Sequence, residues 1–237
     1  MEHRYQKVVM VSGANRGIGG AIAARLHEAG YRLSLGVRDP KARERLVAAY
    51  DPEHTLVAPY EAGDRQSPVD WVAATVTRFG RLDALVNAAG ILRDHDFLDD
   101  DEAPLDAMWE INVKGPMRLM RIAYPHLRQS GAGRVVNLAS LSGLRAVGNS
   151  SGYAMSKFAL VALTHSARQR GWADGVRTTS ICPGYVNTDM VAHVSDFAQD
   201  AMIQPAEIAT LVQTAIELPN NASVSHIPIN CRSEPVY

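Results

Sequence analysis

The sequence predicts an α/β domain in which helices cover both faces of a doubly wound, parallel sheet of seven strands. Three observations lead to this fold class. Strand-like and helix-like segments alternate along the whole chain, a glycine-rich turn joins the first strand to the first helix, and neither an internal repeat nor a linker divides the chain. Such alternation is typical of βαβ units with right-handed crossovers.

The predicted strands are short apolar or alternating runs that end at turn residues. They cover residues 7–12, 31–37, 54–58, 82–86, 134–139, 176–182 and 224–229. The first helix follows the glycine turn and runs to Ala29, and Gly30 is the residue expected to close it. The other helices cover residues 41–49, 68–79, 105–129, 153–172 and 205–218. Pro116 and Pro125 lie inside the fourth helix and are expected to bend or break it.

The composition indicates one globular domain and excludes several classes of protein. Of the 237 residues, 46% are apolar and 21% are charged, which is ordinary for a globular chain. The 24 basic and 25 acidic residues nearly balance, so no nucleic-acid or membrane-surface partner is indicated. Cys182 and Cys231 are too few for a disulfide framework, and the N-terminal apolar run is too short for a signal peptide or a spanning helix. A cytoplasmic location is therefore expected.

The stretch 140–157 carries the strongest chemical signal. Tyr153 and Lys157 lie four residues apart in a helical pattern, so both side chains share one helix face. A nearby ammonium favours the phenolate, and we expect it to lower the tyrosine pKa from about 10 toward the neutral range. Ser140 follows a predicted strand and supplies a hydroxyl to the same place. The alternative is an ordinary pair of residues on a helix surface.

The glycine turn is the second signal. It follows a strand and opens a helix, which is where a phosphate-binding turn belongs. Gly13 is expected to allow the tight turn, Gly17 the close approach of a pyrophosphate, and Gly19 the packing of helix on strand. Glycine-rich turns also arise for purely steric reasons, and the spacing here is G-x-x-x-G-x-G.

Together these motifs resemble the short-chain dehydrogenase/reductase family over nearly the whole chain. In order, they are Ser12-Gly13-Ala14-Asn15-Arg16-Gly17-Ile18-Gly19, Asn87-Ala88-Ala89-Gly90, Asn112-Val113-Lys114-Gly115, Ser140, Tyr153-Ala154-Met155-Ser156-Lys157 and Cys182-Pro183-Gly184. The resemblance implies a Rossmann fold, with a dinucleotide-binding part at about 1–135 and a catalytic and substrate part at about 136–237. It departs from the family at Ala88, where a second asparagine is common, so a hydrogen bond to the strands is expected to be missing there.

The resemblance also implies catalytic roles. Tyr153 would be the general acid or base, Ser140 would hydrogen-bond the substrate oxygen, and Lys157 would lower the tyrosine pKa and bind the nicotinamide ribose. Asn112 would help to hold a proton-relay water, although it also reads as a buried structural amide. The implied activity is hydride transfer between NADP(H) and a carbonyl compound or secondary alcohol. A 3-oxoacyl-thioester (acyl-carrier-protein) reductase and a catalytically silent nucleotide-binding regulator are the alternatives.

Cofactor preference is predicted at the end of the second strand, where NAD-dependent relatives carry an acidic residue. Val37 and Arg38 stand there, and Arg38 with Arg16 suits the 2′-phosphate of NADP(H). NAD(H) is the alternative, through Asp39, if the register differs by one or two residues; Arg38 would then be a solvated side chain. The full set of implied cofactor contacts is Gly13, Asn15, Arg16, Gly17, Ile18, Gly19, Arg38, Glu61, Ala62, Asn87, Ala88, Ala89, Gly90, Tyr153, Lys157, Pro183, Gly184, Val186 and Thr188.

The segment 185–204 occupies the place of the family's substrate lid. Its apolar residues suited to covering a substrate are Met190, Val191, Val194, Phe197 and Met202. The implied substrate contacts are Ser140, Ser142, Tyr153, Tyr185 and Met190. The segment 225–230 lacks the Gly-Gly ending of acyl-carrier-protein reductases, which favours a carbonyl or hydroxy-acid substrate.

No metal site is expected. The acidic run 94–102 lacks the ordered ligand pattern of a calcium loop and is interpreted as a solvated loop at the rim of the site. Family members usually pair through the helices predicted here at 105–129 and 152–170, so a homodimer or homotetramer is expected. Leu160, Val161 and Leu163 are expected to lie partly in that interface.

Overall fold

One seven-stranded sheet with the strand order β3-β2-β1-β4-β5-β6-β7 organises the chain, and all of its strand pairs are parallel. A computed structural model describes residues 7–146, 148, 150–192 and 197–233. The strands are β1 Val8–Ser12, β2 Arg32–Val37, β3 Thr55–Pro59, β4 Ala84–Asn87, β5 Arg134–Leu138, β6 Arg177–Pro183 and β7 His226–Ile229. The predicted fold class is confirmed, with strand ends that differ by one or two residues.

In the described residues, seven α-helices connect the strands and cover the two faces of the sheet. They are α1 Gly17–Glu28, α2 Pro40–Ala49, α3 Ser67–Phe79, α4 Ala103–Trp109, α5 Gly115–Gln129, α6 Ser151–Gly171 and α7 Pro205–Glu217. The order of strands reverses direction between β1 and β4, which creates a crevice at the carboxyl ends of these two strands. In the part of the chain that the structure describes, none of these helices is both long and apolar enough to cross a membrane.

The first helix ends as predicted. The backbone N–H of Gly30 donates to His27 O at 2.9 Å, and that of Tyr31 donates to Leu26 O at 3.0 Å, which is the Schellman pattern. Gly30 has φ +82°, a conformation that glycine adopts without the steric cost of a Cβ. This closure returns the chain directly to β2.

The long predicted helix 105–129 is instead two helices joined by a π-helical turn, Glu110–Lys114. Pro116 lies in the first turn of α5, where its missing N–H would have had no helical partner. Pro125 stays inside α5 and does not end it. The expected break therefore lies immediately before Gly115, and Asn112 is the middle residue of the π-helical turn.

Two apolar cores lie on opposite faces of the sheet. One is formed by side chains of β1, β2, β4 and β5 under α1 and α7, and the other lies under α3 and α5, around Trp71, Leu85 and Leu119. A short polar path crosses the second core, because the Trp71 indole donates to Ser34 Oγ at 2.8 Å. Cys182 is buried, Cys231 is half-buried, and both are free thiols.

Two buried arginines close the amino-terminal edge of the sheet. Arg134 donates to Leu218 O at 2.5 Å, and Arg177 donates to Trp172 O at 3.0 Å. Leu218 and Trp172 are the C-cap residues of α7 and α6. Cations suit the carbonyl ends of helices, and burial lowers the pKa of Arg134, with Arg177 adding to that effect. These contacts fix the edge opposite the crevice.

The prediction that Leu160, Val161 and Leu163 lie at an interface is wrong for the first two. Leu160 and Val161 are 2% and 8% exposed and pack in a small core with Ala139 and Cys182. Leu163 is partly buried against the same core. Leu160 and Val161 face the core because α6 packs against β5 and β6. A helical pattern alone does not reveal which face of a helix packs on the sheet. The large apolar residues that α6 leaves exposed are Met155 and Phe158.

Adjacent glycines at the start of α1 provide a test of the packing that shapes the glycine turn. A Cβ at Gly19 would lie 2.3 Å from Gly13 O, whereas a Cβ at Gly20 would meet nothing closer than 3.6 Å. We expect Gly19→Ala to lower the free energy of unfolding by about 1–3 kcal/mol, because the backbone must shift to admit the methyl group. Gly20→Ala should raise it by about 0.5–1 kcal/mol, since alanine favours helix.

Urea denaturation of the two variants and the unaltered chain measures this difference. Equal stability of Gly19→Ala and Gly20→Ala would contradict the packing described here.

Candidate active site

The predicted site residues lie along the carboxyl edge of the sheet. Strands β1, β4, β5 and β6 end at Ser12, Asn87, Leu138 and Pro183, and four of the motifs, at residues 12–19, 87–90, 140 and 182–184, lie at or next to these ends. Parallel strands bring their carboxyl ends to one edge, so four segments that are distant in sequence meet there. This edge contains the crevice between β1 and β4.

The glycine turn fits closely against the end of β4. Gly13 has φ +67°, and a Cβ there would lie 3.0 Å from Ala89 Cα, so both the turn and the contact require glycine. Gly17 has φ +54°, and its missing Cβ would lie 3.3 Å from the methyl group of Thr188. Asn15 and Arg16 are exposed at the tip of the turn, while Ile18 is partly buried against the core.

Ser12 connects the two sides of the crevice. Its hydroxyl oxygen accepts hydrogen bonds from the backbone N–H groups of Ala88 and Ala89, both at 3.1 Å. The backbone at Ala88 is therefore held by Ser12, although the alanine side chain makes no hydrogen bond of its own. Asn87 is buried and donates to Asn137 Oδ1 at 2.7 Å, so its amide points into the sheet. A cofactor would meet the backbone of the segment 87–90.

Tyr153 and Lys157 lie on one face of α6, as the spacing predicts. The Lys157 ammonium lies 5.6 Å from the centre of the Tyr153 ring and donates to Leu138 O at 2.9 Å. Lys157 is only 6% exposed. A Cβ at Gly90 would lie 3.7 Å from Lys157 Nζ and 3.3 Å from Asn112 Oδ1, so the glycine leaves open space beside both groups. Catalytic and cofactor-binding candidates thus adjoin one another.

Ser140 completes the group. Burial raises the pKa of Tyr153 to about 12, and its hydrogen bond with Ser140 opposes that rise. Ser140 Oγ also accepts from the backbone N–H of Ser142 at 3.1 Å and lies 3.5 Å from Pro183 O. Ser142 therefore contributes a backbone contact that fixes the Ser140 hydroxyl. Part of the Tyr153 side chain remains exposed at the crevice.

The expected lowering of the tyrosine pKa is wrong for the structure described. Burial outweighs the hydrogen bond with Ser140, so the pKa of Tyr153 lies above its ordinary value and the phenol keeps its proton at neutral pH. Burial also lowers the pKa of Lys157 to about 8, while Cys182 opposes this shift. Lys157 is consequently charged at pH 7 and loses its charge as pH rises past about 8.

Asn112 is fully buried, and both polar atoms of its side-chain amide form hydrogen bonds. Its Nδ2 donates to Ile91 O at 2.9 Å and to Ser156 Oγ at 3.1 Å, and its Oδ1 accepts from the backbone N–H of Ile91 at 2.9 Å. These bonds hold the π-helical turn against the segment after β4. π-helical turns are frequent at functional sites, because the inserted residue displaces the regular backbone hydrogen bonds.

The end of β2 presents Arg38 to the crevice side of the molecule. Arg38 Nε lies 3.6 Å from Glu61 Oε2, and the arginine side chain is 77% exposed. Asp39 is the N-cap of α2, and its carboxylate accepts from the backbone N–H of Lys41 at 3.1 Å. Arg43, which the sequence reading missed, donates to the carbonyls of Val37 and Arg38 and so holds this turn. Ala62 is buried and packs against Gly115.

Arg16 spans the mouth of the crevice. Its guanidinium lies 2.8 Å from Asp189 Oδ2, which joins the glycine turn to the segment after β6. Both side chains are more than 70% exposed. Thr188 precedes Asp189 and donates to Val186 O at 3.2 Å, and Val186 is buried. Gly184 donates its N–H to Ile229 O at 2.8 Å, which anchors the start of this segment.

The proposed lid residues divide into anchors and exposed groups. Met202 is buried, and Val186 pairs with Ile203 in an isolated parallel bridge. The rings of Tyr185 and Phe197 lie 6.3 Å apart, while Met190 is 41% exposed. Val191 lies in a short 3₁₀ helix and is partly buried. Val194 lies outside the described residues.

Two more residues near Tyr153 were not identified from the sequence. Ser156 is fully buried between Asn112 and the backbone of Tyr153. His95 O accepts from the backbone N–H of Gly152 and from Ser151 Oγ, each at 3.3 Å, and so satisfies groups at the start of α6. The sequence signal that could have identified Ser156 is its place one position before Lys157. The histidine lies in an acidic loop with no regular pattern.

Among the described residues, one group has the geometry for a metal ion, namely Asp51, Glu53 and His54. It lies at the surface in the turn before β3, and its two carboxylates are exposed. Short acidic turns of this kind commonly hold no ion, and hydrogen bonds within the turn already use Asp51.

The comparisons with known sequences agree with this geometry. The family model for short chain dehydrogenases matches residues 7–199. An agropine synthesis reductase of Rhizobium rhizogenes is 40% identical over 240 residues, which cover 100% of this chain and 55% of that protein. An uncharacterized oxidoreductase of Staphylococcus aureus is 28% identical over 223 residues, 94% of this chain and 96% of that protein. The chain spans about half the length of the agropine synthesis reductases that it matches.

Solved structures share the whole fold. Levodione reductase is 28% identical with a TM-score of 0.87, covering 94% of this chain and 96% of that one. An alcohol dehydrogenase from the archaeon Thermococcus sibiricus, complexed with 5-hydroxy-NADP, is 27% identical with a TM-score of 0.85, covering 94% and 95%. Because the family model matches most of the sequence and the parallel sheet is the one these structures share, the chain belongs to the short chain dehydrogenase family.

Proposed function

We propose that this chain is an NADP(H)-dependent oxidoreductase that reduces a carbonyl group, or oxidises the corresponding secondary alcohol, with Tyr153 as general acid or base. The observation that carries the proposal is the meeting of Ser140, Tyr153 and Lys157 at the carboxyl edge of the sheet, beside the glycine turn. Residues 1–135 would bind the dinucleotide, and residues 136–237 would supply the catalytic residues and the substrate contacts.

The residues fit a nicotinamide cofactor, which when bound would supply or accept the hydride. Gly13, Gly17 and Gly19 would hold its pyrophosphate, since the turn opens a helix and a side chain would fill the space that the glycines leave. Lys157 would meet the nicotinamide ribose beside Gly90, where the absent side chain leaves room. The implied contacts along the segments 87–90 and 183–188 border the same crevice.

In reduction, the substrate oxygen gains negative charge and needs a proton. Tyr153 holds a proton at neutral pH, as an ordinary tyrosine does, and burial raises the pKa of its phenol to about 12. Ser140, fixed by the backbone of Ser142, would donate a hydrogen bond to the same oxygen. The Lys157 ammonium would stabilise the tyrosinate left after proton transfer. Asn112 would help to hold the proton-relay water that returns a proton to Tyr153.

The preference for NADP(H) over NAD(H) is supported by Arg16 and Arg38. Both guanidiniums are exposed at the crevice, and each is paired with one exposed or half-buried carboxylate. Exposed pairs of this kind contribute at most about 1 kcal/mol, so a dianionic phosphate would displace the carboxylates readily. Asp39 is occupied as the cap of α2, which disfavours the alternative register. The Thermococcus sibiricus relative carries an NADP analogue.

We propose a carbonyl compound or the corresponding secondary alcohol as the substrate. The names of the agropine synthesis reductase and the levodione reductase that this chain resembles support a reductase activity. Ser142, Tyr185 and Met190 would contact the substrate beside Tyr153, and the partly buried lid residues would cover a compact molecule. A 3-oxoacyl-thioester reductase is the second candidate, and a catalytically silent regulator is the third. The hydrogen bonds that hold the side chains of Asn112, Ser140 and Lys157 in place favour an enzyme over a regulator.

We also propose a cytoplasmic location, supported by the two free thiols, and self-association as a homodimer or homotetramer. Met155 and Phe158 on α6, with Trp109 and Met117 on α4 and α5, are large apolar residues left exposed where family members pair. Sedimentation at micromolar concentration tests this assembly, and a monomer would contradict it without affecting the catalytic proposal.

Tyr153→Phe tests the proposed function. The change removes the proton donor and leaves the ring, so we expect kcat for carbonyl reduction to fall by about 10²-fold or more while the NADPH dissociation constant stays within a few-fold. NADPH oxidation with a panel of aldehydes, ketones and diketones measures kcat, and fluorescence titration measures binding.

Tyr124→Phe is the matched control. Its hydroxyl donates to Asp174 at the opposite edge of the sheet, so kcat should not change. Near-native reduction by Tyr153→Phe, on a substrate that the unaltered chain turns over, would refute the assignment of Tyr153.

Arg38→Ala tests the cofactor preference. Loss of a charge-assisted hydrogen bond to the 2′-phosphate costs about 1.5–3 kcal/mol, so the KM for NADPH should rise by about 10- to 100-fold. The KM for NADH should change little, because NADH has no phosphate at that position. Initial-rate measurements with both cofactors give the two values.

Arg45→Ala, on the exposed face of α2, removes the same charge and should leave both KM values unaltered. An equal rise in both KM values for Arg38→Ala, or a native preference for NADH, would show that Arg38 does not bind the phosphate.

A further inference from the structure

Ser156 occupies a buried position between two candidate catalytic residues. It lies one position before Lys157 on α6 and is 0% exposed. Asn112 Nδ2 donates to Ser156 Oγ at 3.1 Å, and Ser156 Oγ donates to Tyr153 O at 2.8 Å. One hydroxyl group therefore connects the amide of the π-helical turn to the backbone of the tyrosine.

The other contacts of Asn112 show what this connection holds. Both its Oδ1 and its Nδ2 bind the backbone of Ile91, which directly follows the segment 87–90. The hydrogen bonds thus run from the loop after β4, through Asn112 and Ser156, to the first turn of α6. That turn presents Tyr153 to the crevice, so a shift of the turn would move the phenol relative to Ser140 and Gly90.

A serine inside a helix usually bonds back to a carbonyl of the preceding turn and gains little by it. Ser156 does this at Tyr153 O, but its oxygen also accepts from a side chain of another element. Removing the hydroxyl would leave Asn112 with its contacts to Ile91 alone. The π-helical turn and α6 would then lose their hydrogen bond through this serine.

We propose that Ser156 is a positioning residue for the reaction, which couples Asn112 to Tyr153 and holds the phenol in register with Ser140. The assignment rests on the proposed function. Ser156 itself does not touch the reacting atoms; it acts through the backbone of Tyr153 and the amide of Asn112.

The same helix offers a matched control eight residues further on. Thr164 is also 0% exposed, donates to the backbone O of Leu160 at 2.7 Å, and accepts from Asn137 Nδ2 at 2.9 Å. Its hydrogen bonds have the same pattern as those of Ser156, with a buried asparagine as donor and the preceding turn as acceptor. Asn137 lies in β5, in the interior of the sheet.

The experiment compares Ser156→Ala with Thr164→Val in NADPH-dependent reduction and in thermal unfolding. Both variants lose one buried hydroxyl, so both should lose thermal stability. Only Ser156→Ala should lower kcat, by about tenfold or more, because misplacement of a catalytic group slows the chemical step. The KM values for substrate and NADPH should stay within about twofold, since binding groups are unaltered.

A double-mutant cycle adds a readout that a general loss of stability would not move. In the Asn112→Ala background the effect of Ser156→Ala on kcat should shrink to about twofold, because the hydrogen-bonded pair is already broken. If Ser156→Ala is unfolded at the assay temperature, Ser156→Cys replaces it, and its weaker donor should give an intermediate kcat.

A native kcat in Ser156→Ala, or in Ser156→Cys where that variant replaces it, would overturn the assignment. Equal losses of kcat in the serine variant and in Thr164→Val would also overturn it. So would additive effects of the two substitutions in the double-mutant cycle. Each of these results, obtained while Tyr153→Phe is inactive, would leave the proposed function intact. Absence of NADPH-dependent turnover in the unaltered chain would overturn both.

Discussion

The hydrogen bond between the Lys157 ammonium and the carbonyl of Leu138 is the constraint around which the site is arranged. A buried charge is costly unless it is hydrogen-bonded, and in the described part of the chain no carboxylate forms an ion pair with this lysine. The last residue of β5 meets this need because the strand ends there and leaves its carbonyl to a side chain. This contact ties α6 to the carboxyl end of β5.

Local patterns were enough to predict the strands and the placement of Tyr153 and Lys157 on one helix face, because both depend on short spacings. Alternating and apolar runs predict the seven strands, and a separation of four residues places Tyr153 and Lys157 on one face. The π-helical turn could not be predicted in this way. It depends on bonds from Asn112 to Ile91 and Ser156, which lie 21 and 44 residues away in the sequence.

Burial was the other quantity that spacing could not supply. The direction of the Tyr153 pKa shift depends on how much protein surrounds the phenol, and Leu160 and Val161 of α6 pack in a core with Ala139 and Cys182. Arg43 and His95 act mainly through backbone carbonyls, the arginine as donor and the histidine as acceptor, and such contacts leave no periodic signal. Motifs therefore identified the candidate catalytic residues, while tertiary contacts identify the groups that hold them.

The buried arginines at the amino edge divide the molecule into two regions of different local stability. Arg134 and Arg177 bind the carbonyl ends of α7 and α6, so the amides at those helix ends become accessible to solvent only when the helices separate from the sheet. Near the carboxyl edge, Asp189 is held to Arg16 by an exposed ion pair. Hydrogen exchange would therefore be slow at the two helix ends and faster around Asp189, so this ion pair can open while the amino edge stays folded.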